Sequence, residues 1–144
     1  MKFLTKALVT GLILSAGVVF AETESTDPAA IARETLMGTI GKNTKILGEM
    51  AGGKVAFDVA AADAAKLALA DAAGKIPATF EPQGTDAGSE AKPEIWTNWD
   101  DFLLKADVLA KAATALDATT VEGVQAGMAG VGGACKDCHT KYRM

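Results

Sequence analysis

The chain has 144 residues, 49% hydrophobic but only 6% aromatic, with 14 Lys and Arg against 18 Asp and Glu for a net charge of −4. That length suffices for one domain with a real core. The acidic balance argues against nucleic acid and against anionic membrane surfaces as partners.

Residues 1–21 read as a secretory signal. Lys2 and Lys6 form a basic start, residues 7–20 form an apolar run, and Val19-Phe20-Ala21 ends in a small residue suited to cleavage. A retained anchor is the alternative, but the run is shorter than the ~20 residues that span a bilayer. Cleavage leaves residues 22–144 as a single exported domain with 12 basic and 18 acidic residues, a net charge of −6. Such a surface permits a partner with a basic docking face.

Alanine abundance and scarce β-branching favour helices, and no stretch alternates with period two. Four helical segments are predicted. Asp27-Pro28 supplies an N-cap and a first helical residue. Ile31, Met37, Ile40, Thr44 and Leu47 then recur at threes and fours as one buried face until Gly52-Gly53. The second segment runs from a cap at Asp58 to Ala73, with Leu67, Leu69 and many alanines, and stops at Gly74. Residues 77–89 are rich in Pro, Gly and Asp and read as a loop. The third segment starts near Pro93 and continues to about Leu116, with Ile95, Trp96, Trp99, Phe102, Leu103, Val108 and Leu109 at helical spacing and Trp99 and Phe102 assigned to the core. Thr119-Thr120-Val121-Glu122 reads as a capping box opening the fourth, which runs to Tyr142. Four helices with short turns and one longer connection make an all-α, antiparallel four-helix bundle the expected fold.

The last segment carries Cys135-Lys136-Asp137-Cys138-His139, with the chain's two cysteines and its single histidine. C-x-x-C-H is the attachment signature for c-type haem: each thiol adds to one vinyl group and the following imidazole lies under the iron. A redox C-x-x-C would need a βαβ context, and a structural zinc would be one ligand short. A plain disulfide would leave His139 without a role. Haem is attached outside the cytoplasm, so the signal and the motif, independent features, support each other. Upstream, Gly127, Gly130, Gly132 and Gly133 each cost about 1 kcal/mol of helix propensity. They allow either the haem or another helix to come close.

The segment Val131 to Arg143 closely resembles the closing segment of the cytochrome c′ family, the class II cytochromes c. Lys92-Pro93-Glu94-Ile95-Trp96 is similar to that family's approach to its third helix, and Ile31-Ala32-Arg33-Glu34 looks like its first-helix arginine region. The resemblance covers essentially all of residues 22–144 and implies a left-twisted antiparallel bundle with one covalent haem c near one end. It also implies a distal position four residues after the helix-one arginine, which here is Met37. One branch of the family has only the histidine ligand and binds nitric oxide and carbon monoxide. In the other, low-spin branch a methionine fills the sixth position and the protein carries electrons. Residues 36–51 look more like the low-spin branch.

Other methionines fit the sixth position poorly. Met128 precedes His139 by 11 residues on the same helix, about 16 Å, and Met50 lies 13 residues beyond Met37, about 20 Å. Met37 can also be read as an ordinary core residue. By the same resemblance Arg33 and Arg143 lie near the haem, where a guanidinium suits a propionate, and Glu34, Glu90 and Trp96 touch it. The expected function is periplasmic one-electron transfer on iron held by His139 and Met37. The alternative is a five-coordinate protein that binds nitric oxide or carbon monoxide. A peroxidase is disfavoured because no second histidine offers distal acid–base chemistry. Redox proteins are the expected partners, with the chain as a monomer or homodimer.

Overall fold

A computed structural model describes residues 24–84 and 86–144, so the signal segment read in residues 1–21 lies outside the described residues. Six helices are present among the described residues: α1 (Pro28–Ala51), α2 (Val59–Gly74), α3 (Ile76–Phe80), α4 (Glu94–Thr97), α5 (Trp99–Ala115) and α6 (Val121–Tyr142). The four long ones, α1, α2, α5 and α6, pack in a ring, each against the two beside it, to form a four-helix bundle.

Local chemistry sets the helix starts. The Asp27 carboxylate accepts from the Ala30 amide at 2.9 Å, and Asp58 accepts from Ala61 at 2.7 Å. Each satisfies one of the amides that a helix leaves unpaired at its first turn. At α6 the cap is Thr120, whose hydroxyl accepts from the Gly123 amide at 3.0 Å. The capping box expected on Thr119 and Glu122 does not form, because Thr119 instead donates to Asp117 at 2.6 Å. Gly53 ends α1 with a φ of 68°, a left-handed turn that suits a residue without Cβ.

Two expectations about elements need correction. The segment 77–89 is not all loop, since its first residues belong to α3. Pro77 sits in that helix's first turn, where its missing N–H costs nothing, and Ile76 and Phe80 are buried on the core. The third predicted helix is broken at Asn98, with φ −125° and ψ 45°. Its side chain donates to the Glu94 carbonyl at 3.1 Å, competing with the backbone ladder. The phase of α1 also differs from expectation. Ile31 is 44% exposed while Arg33 is buried, so the inward face runs through Ala30, Arg33, Ile40, Asn43, Leu47 and Met50. Leu67 and Val108 are likewise exposed, and Leu69 and Leu109 are buried.

Phe102 lies in the core, as its helical spacing predicts. Its ring lies 5.2 Å from Phe80, 5.3 Å from Trp99 and 5.4 Å edge-on from Tyr142. Trp99 is half-buried and packs against that core.

Antiparallel registers fix which residues share a level. Between α1 and α6, Gln125 Nε2 donates to the Ala51 carbonyl at 2.7 Å. Gly48 lies against Met128, whose Cε would be 3.7 Å from an added Cβ. Between α5 and α6, the pairs Lys105–Asp137 and Lys141–Asp101 cross the groove. The connection between Lys75 and Asn98, in its described residues, stays at one end of the bundle, the end where α1 begins and α6 finishes. Arg33 donates to its carbonyls at Pro82 (2.9 Å) and Gly84 (3.3 Å).

Candidate functional site

A cavity of about 600 Å³ opens at that end between α1, α5 and α6, with α3 and residues 89–91 as its floor. Cys135, Cys138 and His139 line it from α6, and Met37, Arg33 and Glu34 from α1. Glu90 and Arg143 line it from the connection and the last turn, leaving Trp96 as the one sequence-predicted site residue outside the lining.

The register places Met37 opposite His139. Met37 is eleven residues back along α1 from Gly48, and His139 is eleven residues on along α6 from Met128, Gly48's neighbour. Two antiparallel helices advanced equally, about 16 Å each, arrive at the same level. Both side chains face one cavity.

Trp96 stands behind this layer. Its indole donates to the Phe80 carbonyl at 2.8 Å. The Arg33 guanidinium lies 5.3 Å from the Trp96 ring and 5.9 Å from the Phe80 ring, within the range of cation–π attraction. Arg33 is 2% exposed. Its two carbonyl bonds leave Nε buried without an acceptor. A buried guanidinium N–H without a partner is costly, and here it belongs to a residue that lines the cavity.

The remaining acidic groups of the lining are hydrogen-bonded at the rim. Arg143 Nε donates to Glu90 at 2.7 Å, and Glu34 accepts from Ser25. Partial desolvation of His139 pushes its pKa below the usual imidazole value, and the Arg143 guanidinium adds to the effect. A neutral imidazole at neutral pH is the form that ligates metal. Burial raises both cysteine thiols, so they are neutral in this apolar setting, although Lys105 opposes the rise at Cys138.

Some lining residues lie outside the site that the sequence predicts. Lys105 enters from α5 and pairs with Asp137, between the two cysteines. Tyr142 donates to Asp101 at 2.6 Å. Thr44 lines the inner end with a buried hydroxyl that has no partner. The glycines of α6 do not open the cavity. Gly127 is pressed against Leu116, Gly130 faces Ala112, and Gly132 and Gly133 border open space.

The lining suits a flat, largely apolar cofactor with an anionic edge. The thiols stand one turn apart beside an imidazole, and the orphaned Arg33 Nε is a ready donor for a carboxylate. Gly38 and Gly41 leave the α1 wall bare, with nothing within 4 Å of an added Cβ. A helical bundle enclosing such a cavity beside C-x-x-C-H defines a haem protein of the c type.

Comparison with known proteins identifies the group. The family model described as Cytochrome C′ matches residues 29–143. Cytochrome c-556 of Agrobacterium fabrum is 37% identical over 147 aligned positions that take in 100% of this chain and 96% of that protein. The crystal structure of cytochrome c′ from Rubrivivax gelatinosus superposes with a TM-score of 0.72 at 31% identity, covering 81% of this chain and 94% of that one. A ferrous variant of cytochrome c prime from Alcaligenes xylosoxidans, solved with bound NO, gives a TM-score of 0.71 at 26% identity over 81% of this chain and 94% of that one. The chain belongs to the cytochrome c′ family, whose members carry covalent haem c.

Proposed function

We propose that this protein is a periplasmic one-electron carrier rather than an enzyme, exported by the segment 1–21. Cys135 and Cys138 would hold the haem as thioethers, and His139 and Met37 would ligate its iron. The observation that carries this reading is the shared level of Met37 and His139 on facing helices, both lining one cavity. When bound, the haem supplies a one-electron ferric/ferrous couple.

The chain's own residues do the rest. His139 presents a neutral nitrogen, and Arg33 offers a buried donor to a propionate. The aromatic wall of Phe80, Phe102 and Tyr142 excludes water from one side. No helix of the described residues is long and apolar enough to cross a membrane, which suits a carrier working between redox partners after the signal is removed. Optical spectra of the haem protein, oxidised and reduced, test the ligation. A low-spin pattern with the weak far-red sulfur-to-iron band is expected, with conversion to high spin in Met37→Ala. Unchanged spectra in that variant would remove Met37 from the role.

A second reading, five-coordinate binding of nitric oxide or carbon monoxide, is favoured by the Alcaligenes relative solved with NO. Met37 would then be a distal lid beside the bare wall at Gly38 and Gly41. Rapid carbon monoxide binding by the unmodified ferrous protein would select it over the carrier.

A further inference from the structure

We propose that Lys105 is a positioning charge that raises the haem's reduction potential, with Asp137 as the partner that limits its effect. The inference rests on the reading that the cavity holds haem on Cys135, Cys138 and His139.

Lys105 differs from the other paired lysines. Its side chain is 18% exposed, against 46% for Lys141, 74% for Lys45, 60% for Lys75 and 77% for Lys111. It reaches from α5 into the cavity lining. Asp137, between the two cysteines, is 70% exposed. The ammonium is therefore sheltered while its carboxylate partner stands in water. A charge in a sheltered, low-dielectric setting acts strongly on its neighbours, whereas an exposed one is screened. Seen from the cavity, the pair does not cancel, and the cation dominates.

Of the other charges near the cavity, Glu90 pairs with Arg143, Asp101 with Lys141, and Lys45 is largely exposed. Arg33 is a second buried cation, but it comes from α1 and is held by the carbonyls of Pro82 and Gly84, and Glu34 on the same helix accepts from Ser25. Adding one electron to the ferric centre removes one unit of positive charge from the cavity. A sheltered cation beside it therefore favours the reduced form. The Lys105 pair also joins α5 to the attachment motif, but a tether alone would not give the two partners opposite effects on a potential.

Redox titration of the haem-loaded protein tests this. Lys105→Gln should favour the ferric form at least threefold, a fall of about 28 mV at 59 mV per tenfold for one electron. Asp137→Asn should move the potential upward, Lys105→Arg should keep it within twofold of wild type, and the double variant K105Q/D137N should lie below D137N alone. Shifts of K105Q and D137N in the same direction would overturn the proposal, as would shifts under threefold in K105Q with intact haem absorption. Should K105Q fail to accumulate, D137N decides alone: a rise supports the proposal and a fall or no change overturns it. The spectra separate this test from the carrier reading. A high-spin wild type would defeat Met37 ligation, yet the sign of the Lys105 effect would stand, since a charge acts on five-coordinate iron as well.

Discussion

Two glycines on α6 should answer the same substitution differently. An added Cβ at Gly127 would lie 2.7 Å from Leu116 Cγ, 3.1 Å from its Cβ and 3.2 Å from its Cα, too close for a single rotamer change to relieve. Leu116 is 2% exposed and cannot swing outward without opening the core. Forced overpacking of this kind costs about 1–3 kcal/mol, offset by the ~1 kcal/mol that alanine gains over glycine in a helix. At Gly133 nothing lies within 4 Å, so only the gain remains. Because the propensity gain is common to both, the difference between G127A and G133A isolates the overpacking cost. For a domain of this size it should separate their melting temperatures by roughly 3–5 °C per kcal/mol. Thermal unfolding of the two haem-loaded variants by far-UV circular dichroism measures it. G133A is expected to melt above wild type and G127A below G133A. A G127A protein melting at or above G133A would refute the close contact between Leu116 and α6.

Other expectations follow from single anchors. Asp86 accepts from the amides of Thr26, Asp27 and Gly88, and these bonds lower its pKa to about 2. A depressed carboxyl contributes stability that is present above its unfolded value and lost as pH falls through its folded one. Melting temperature should therefore decline between about pH 4 and pH 2, and D86N should be less stable at neutral pH with a shallower acid decline; an identical acid slope in D86N would count against the clamp. Asp58→Ala removes the cap of α2 and should cost about 1 kcal/mol, read by urea unfolding. Arg33→Met keeps the stem but strips the donors from the carbonyls of Pro82 and Gly84, each bond to a charged group being worth about 1.5–3 kcal/mol. Faster amide exchange in residues 82–89 with α2 unchanged is expected.

What could be read from the sequence was what is local. The caps at Asp27 and Asp58 and the run of the four long helices depend on residues a turn apart, and C-x-x-C-H is contiguous. Met37 was reached through family resemblance, and the register of α1 on α6 then gave it a physical reason. Proline density misled at Pro77, because a proline in the first turn looks the same in sequence as one that breaks a helix. The break at Asn98 was hidden for the converse reason: Trp96, Trp99 and Phe102 keep helical spacing across it. The resemblance brings Arg33 near the haem, but not its hold on the carbonyls of Pro82 and Gly84, which lie some fifty residues away. Lys105 and Asp137, 32 residues apart, meet only through packing.

The end of the bundle that carries the site is fastened by two anchors of opposite polarity. From the connection, the Asp86 carboxylate takes up amides that precede α1. From α1, the Arg33 guanidinium takes up carbonyls of the connection. Each joins side chain to backbone, so each satisfies main-chain groups that would otherwise be left unpaired where the connection meets the bundle. The bundle core lies beyond this end, in Leu47, Leu69, Val124 and Val131, all fully buried. Loosening the connection should therefore widen the cavity floor at Ser89–Ala91 without melting the helices that hold Met37 and His139 level. That separation lets D86N and R33M report on the cavity floor and lets G127A report on the bundle.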